Sequence, residues 1–140
     1  MDAIRSLMAA LTVGLMLSVS PASAQSSLLD RWYTALFDVN RVAIADLLTE
    51  DAVIDLKDLG VVQTKAEFIA ALDEWEEAVK TANLAWLLEE GAEADETRAT
   101  ALVCYQFPDN ELMIREVFAF RDGKIASSTQ TTAADTCDNF

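Results

Sequence analysis

Apolar side chains recur in threes and fours from Leu28 onward. Leu28, Leu29, Trp32, Tyr33, Leu36 and Phe37 fall on one face of a helix that ends near Asn40. Ser27 stands before this run with Asp30 three positions later, a pairing that predicts a capped start. Ala43, Ile44, Leu47 and Leu48 predict a second, shorter helix, Asp51 to Leu56 reads as a strand, and Gly60 as a turn before Val61-Val62. Thr64 with Glu67 forms a TxxE capping box, and Phe68, Leu72, Trp75 and Val79 follow along one helical face. After Ala82 the period drops from about 3.6 residues to 2. Four extended runs follow: Leu84 to Ala92, Arg98 to Phe107, Glu111 to Phe120 and Lys124 to Thr131. They are separated by Asp95-Glu96-Thr97, Pro108-Asp109-Asn110 and Asp122-Gly123, the last suited to a type I′ turn in which both central residues need positive φ. Helices first and strands after describe an α+β domain, with three N-terminal helices packed on one face of a curved antiparallel sheet.

The first 24 positions read differently from the rest. Ser6 to Val19 is apolar apart from Ser6, Thr12 and Ser18, follows Arg5, and leads to Pro21-Ala22-Ser23-Ala24, a small-x-small pattern before Gln25. This predicts a secretory signal over 1–24. A retained anchor is the competing reading, although the apolar run of about 14 residues is shorter than the roughly 20 that span a bilayer. Either reading places the body outside the cytoplasm, periplasmic or secreted. There Cys104 and Cys137 are expected to pair, the alternative being a buried thiol at Cys104 and an unpaired one in the tail. The folded domain is expected over 25–132, with an irregular tail over 133–140.

Composition narrows the functional classes. Ten basic against 24 acidic residues give a net charge of −14, which disfavours nucleic acid and anionic membrane surfaces as partners. The absence of histidine removes Ser-His and Cys-His nucleophile systems and the commonest metal ligand. The acidic runs at Asp73 to Glu77 and Glu89 to Glu96 lack a D-x-D-x-D-G loop and read as solvated faces, not calcium sites. No metal and no cofactor is expected.

Several segments taken in order resemble the nuclear transport factor 2-like superfamily, whose members include polyketide cyclases, ketosteroid isomerase and limonene epoxide hydrolase as well as domains with no catalytic role. The segments are Trp32-Tyr33-x-x-Leu36, Ile44-x-x-Leu47-Leu48-Thr49-x-Asp51-Ala52-Val53, Gly60, Thr64-Lys65-x-x-Phe68 and Val117-Phe118-x-Phe120-Arg121-Asp122-Gly123-Lys124-Ile125. The resemblance covers about 27–132. It implies a cone-shaped, cystatin-like roll in which a strongly curved antiparallel sheet wraps the long helix and leaves a pocket at the open end. A homodimer through the exposed sheet face is expected as well. Fold does not fix function here.

Strict alternation along Glu111 to Phe120 puts Glu116 on one face with Leu112, Ile114, Phe118 and Phe120. Desolvation in an apolar pocket would favour its protonated form, able to donate to a developing oxyanion. The resemblance points to the same residue, since Glu116-Val117-Phe118-Ala119-Phe120 matches the isomerase's acid-x-Phe-x-Phe pattern. An ion pair of Glu116 with Arg98 or Arg115, or exposure after a bulge, are the structural alternatives. The other isomerase positions fit less well. Trp32 aligns with the family's tyrosine, with Tyr33 one position away, and Leu56 stands where the base is expected, between Asp55 and Lys57. A base then requires that a bulge re-aim Asp55 or that Asp58 fold in from the loop. An epoxide-hydrolase constellation does not assemble, because Arg115 alternates away from Glu116. The candidate catalytic set is therefore Glu116 as acid, Asp55 as base and Tyr33 or Tyr105 as donor. Trp32, Phe37, Trp75, Trp86, Tyr105, Phe118 and Gln130 are the candidate ligand contacts. The expected function is binding of a small apolar ligand with no assignable reaction; the alternative is a cofactor-independent isomerase, cyclase or lyase using Glu116.

Overall fold

The computed structural model describes residues 21–89 and 97–140. The expected signal segment lies outside these residues except for its last four positions. Asp95-Glu96 in the first hairpin turn and the end of the strand expected to reach Ala92 lie outside them as well. In chain order the elements are α1 (Pro21–Phe37), α2 (Arg41–Leu47), β1 (Leu48–Leu56), a single 3-10 turn (Lys57–Leu59), β2 (Val61–Thr64) and α3 (Lys65–Val79). Strands β3 (Asn83–Leu88), β4 (Arg98–Gln106), β5 (Glu111–Arg121) and β6 (Lys124–Ala134) complete the fold.

Local chemistry explains most boundaries. Asn40 caps α2, its side-chain oxygen accepting from Ala43 N at 3.1 Å. The capping box of α3 is formed both ways: Glu67 N donates to Thr64 Oγ1 at 3.2 Å and Thr64 N donates to Glu67 Oε2 at 2.8 Å. Asp122 and Gly123 both adopt positive φ, 53° and 72°, as the β5–β6 turn requires. The expected cap at Ser27 is not used, and Ser27 lies inside α1, because the residues around it favour helix. The tail is shorter than expected, since β6 continues to Ala134.

The strongly curved antiparallel cone is not what forms. The six strands make one open sheet in the order β2-β1-β6-β5-β4-β3, with β2 and β3 as its two edges, so the sheet neither closes nor curls into a roll. It is also mixed, because β1 runs parallel to β6, with Ile54 beside Ser128 and Leu56 beside Gln130. Turn residues report only pairings between neighbours in sequence; the β1–β6 pairing joins the two ends of the domain and leaves no local mark.

All three helices pack on one face of the sheet. Leu29, Trp32, Tyr33 and Leu36 of α1 and Leu72 of α3 join Ile54, Ala101, Val103, Phe118 and Ile125 in a single buried core. Cys104 alternates to the opposite face of β4 and is bonded to Cys137, as expected, with Cα atoms 5.8 Å apart. The bridge ties the chain after β6 back across β5.

Candidate functional site

Glu116 sits mid-way along β5 on the helix-facing side, and its residue is 1% exposed. Its neighbour on β4 is Ala101, whose small side chain leaves room for a carboxyl in a layer otherwise filled by large apolar groups. Its neighbour on β6 is Gln130, with Ser128 two residues before it on the same face. Three donors converge on the carboxyl. Tyr33 Oη donates to Oε1 at 2.6 Å, while Ser128 Oγ and Gln130 Nε2 donate to Oε2 at 2.6 and 2.7 Å. Neither structural alternative holds, since Arg115 forms a bidentate pair with Glu89 and lies across the sheet from Glu116.

Burial pushes the Glu116 carboxyl above its ordinary range, opposed by the hydrogen bonds from Ser128, Tyr33 and Gln130. Burial, then the neighbouring Glu116, pushes the Tyr33 phenol well above 10, so Tyr33 keeps its proton and donates. Trp32 Nε1 also favours the ionised carboxylate, yet this buried indole N–H has no hydrogen-bond partner among the described residues.

Gln130 connects this buried network to a chamber of about 370 Å³. Leu56, Leu112 and Ile114 supply aliphatic walls, and Trp75, Tyr105 and Phe107 supply rings. Asp58, Leu59 and Thr132 stand at the exposed rim. Trp75 is fixed from behind, its Nε1 donating to Leu36 O at 2.8 Å. Tyr105 lines the chamber with a phenol that burial raises far above its ordinary value, and its hydroxyl makes no hydrogen bond among the described residues. Asp58 Oδ2 accepts from Thr132 N at 2.5 Å, and this backbone donor holds the Asp58 carboxyl below its ordinary value. Glu116 lines neither this chamber nor a second recess of about 240 Å³ that contains Tyr33, Phe37 and Trp86; it lies between them.

The sequence-derived candidates therefore divide into groups. Trp75, Tyr105 and Gln130 share the chamber beside Gln130, and Tyr33, Phe37 and Trp86 share the recess. Trp32 and Phe118 lie in the core, where Trp32 stacks on Phe68 at 5.8 Å and meets the edge of Phe118 at 6.4 Å. Asp55 turns away from the chamber to pair with Lys57 at 2.6 Å, as alternation with Leu56 demands. Asp58, carried by the 3-10 turn, is the carboxylate that reaches the rim. Ser128 was not among the candidates. Its signal is the hairpin register, which places it on the same face as Glu116 only after a one-residue bulge between Ala119 and Phe120. Among the described residues no group of three or more His, Cys, Asp or Glu could hold a metal ion. No described helix is long and apolar enough to cross a membrane.

The fold is shared with solved structures described as nuclear transport factor 2-like proteins. A candidate ketosteroid isomerase from Kribbella flavida superposes with TM-score 0.67 at 18% identity, over 79% of this chain and 78% of that one. A nuclear transport factor 2-like protein of unknown function from Burkholderia xenovorans gives 0.65 at 15% identity, over 80% and 84%. A candidate polyketide cyclase from Xanthomonas campestris gives 0.58 at 21% identity, over 79% and 91%. At these identities the likeness concerns the fold alone. No protein-family model matches the chain, and no curated protein does.

Proposed function

We propose that the chain is a cofactor-independent enzyme that moves a proton on a small, largely apolar molecule, in the manner of an isomerase, cyclase or lyase. The observation that carries this reading is Asp58 at the chamber rim, fixed by a bond from Thr132 N, with Glu116 sealed outside the chamber and joined to its wall through Gln130, in environments that favour the ionised form of the first and oppose ionisation of the second. A binding module needs neither. In this scheme Asp58 takes a proton from a carbon next to a carbonyl, and the electron pair moves onto the carbonyl oxygen. Tyr105 Oη and the Gln130 amide stabilise that oxygen by donating to it. The proton then returns from Asp58 to another carbon of the same molecule. Glu116 acts through Gln130, holding its amide nitrogen at the wall, and so is a positioning residue.

Comparisons with a candidate isomerase and candidate cyclases of the same fold support this class of reaction. The Cys104–Cys137 bridge supports placement in an oxidising, extracytoplasmic compartment. Exposed Val53, Val62 and Leu87 on the sheet support pairing with a second copy there.

The test is deuterium exchange at the α-carbon of a β,γ-unsaturated cyclic ketone such as 3-cyclohexenone, followed by proton NMR in D2O. Exchange accelerated by the wild type and slowed at least about a hundredfold by Asp58→Asn supports the assignment. Equal rates with both proteins sink the enzymatic reading, and line broadening of the ketone in the same spectra would then leave a binding module.

A further inference from the structure

The aromatic side of the chamber has a specific shape. The rings of Trp75 and Tyr105 stand 5.6 Å apart with planes at 87°, and Phe107 holds a ring nearly parallel to Tyr105, 6.2 Å away at 12°. A group seated in the angle between Trp75 and Tyr105 therefore meets a ring face, which carries the negative pole of the aromatic quadrupole. The angle is held open because the Trp75 indole is bonded to Leu36 O and cannot turn. Among the described residues the only charged side chain lining the chamber is Asp58, kept ionised by Thr132 N. No described Lys or Arg lines it, and the nearby Lys57 is paired with Asp55. The chain as a whole carries a net charge of −14. An anionic ligand would meet a carboxylate at the entrance and no counter-charge inside.

Two perpendicular ring planes, a third ring beside them and a fixed carboxylate at the mouth are what recognition of an organic cation requires, with dispersion and cation–π attraction inside and an ionic partner at the rim. We propose that the chamber selects a small tertiary or quaternary alkylammonium compound, its cationic head in the Trp75–Tyr105 angle and its charge facing Asp58. This rests on the chamber being the binding site of the proposed enzyme, and it names the substrate class. A positive charge close to the reacting carbon also acidifies the C–H bond that Asp58 would attack.

The experiment compares phenyltrimethylammonium with its neutral carbon isostere, tert-butylbenzene, by ligand-detected NMR and calorimetry on the full chain. The cation is expected to bind about tenfold more tightly than the isostere, with the preference shrinking as salt is raised. Asp58→Asn, a change at the exposed rim, is expected to remove most of that preference by weakening the cation much more than tert-butylbenzene. Phe107→Leu is expected to weaken the cation more than the isostere. Equal binding of the two probes, or tighter binding of the neutral one, overturns the cation assignment and leaves the chamber as a site for apolar molecules. Binding of neither probe overturns the assignment together with the chamber reading.

Discussion

Replacing Glu116 with Gln tests the buried carboxyl with almost no change of shape. Ser128 and Gln130 both donate to Oε2, so a carbonyl oxygen in that place keeps both bonds. The new amide nitrogen then faces Tyr33 Oη, which donates to Oε1 in the wild type and has to turn its proton away. One of three hydrogen bonds reverses, but the neutral acid makes the same reversal, because its own O–H has to donate where Tyr33 donates to the ionised form; near pH 4, where the carboxyl is largely neutral in folded and unfolded chains, the two proteins should be closely matched. The balance shifts as pH rises. The unfolded chain releases the Glu116 proton near its ordinary value of 4.5, while the folded protein, with its value raised by burial, retains it. Between those two values the unfolded state binds fewer protons, so the wild type loses up to about 1.4 kcal/mol per pH unit relative to E116Q, which does not titrate there. The stabilising contribution of the neutral acid is thus complete below pH 4.5 and lost as pH climbs through the folded value. Groups held below their ordinary values, such as Asp51 and Asp58, titrate alike in both proteins and cancel in the difference. Urea unfolding of both proteins at intervals from pH 4 to 8 reads the effect directly. The two proteins should be closely matched at the acidic end, with E116Q gaining on the wild type as pH rises and the more stable of the two at pH 8. Parallel curves across the range would refute a raised Glu116 and with it the argument from desolvation.

Other expectations follow from the same contacts. Cys104→Ala with Cys137→Ala opens a loop of sequence separation 33 and should lower stability by about 3 to 4 kcal/mol in urea, an effect matched by adding reductant to the wild type. Thr64→Ala removes half of the α3 capping box and should cost about 1 kcal/mol, measurable as a shifted urea midpoint with unchanged slope. Phe118→Ala empties a fully buried site between Trp32 and Tyr33 and should cost about 3 to 5 kcal/mol by the same assay.

The sequence makes legible what depends on neighbours in the chain. The TxxE box at Thr64, the Asp122-Gly123 turn and the alternation that buries Glu116 with Phe118 all need only local chemistry, and each is found in place. The parallel pairing of β1 with β6 and the open order of the sheet depend on long-range closure, which leaves no local trace, so the curved antiparallel cone drawn from resemblance does not match. The site shows the same division. A simple two-residue hairpin would continue from Arg121–Lys124 and Phe120–Ile125 to set Thr129 opposite Glu116; the bulge after Ala119 advances β6 by one residue and brings Gln130 there instead. One inserted residue thus decides that an amide, not a threonine hydroxyl, joins the acid to the chamber. Asp58 is equally hard to place in advance, because a 3-10 turn has no periodic signature separating it from its neighbour Asp55.

The central claim is that an acid sealed inside the sheet layer is coupled through Gln130 to a ligand chamber. The most direct measurement is a pH titration of the Glu116 side-chain carboxyl by carbon-13 NMR, with and without phenyltrimethylammonium or tert-butylbenzene filling the chamber. The expected result is a midpoint above 4.5 in the free protein that moves when the chamber is occupied. A midpoint at or below the ordinary value, unmoved by a probe shown to bind, would contradict the account.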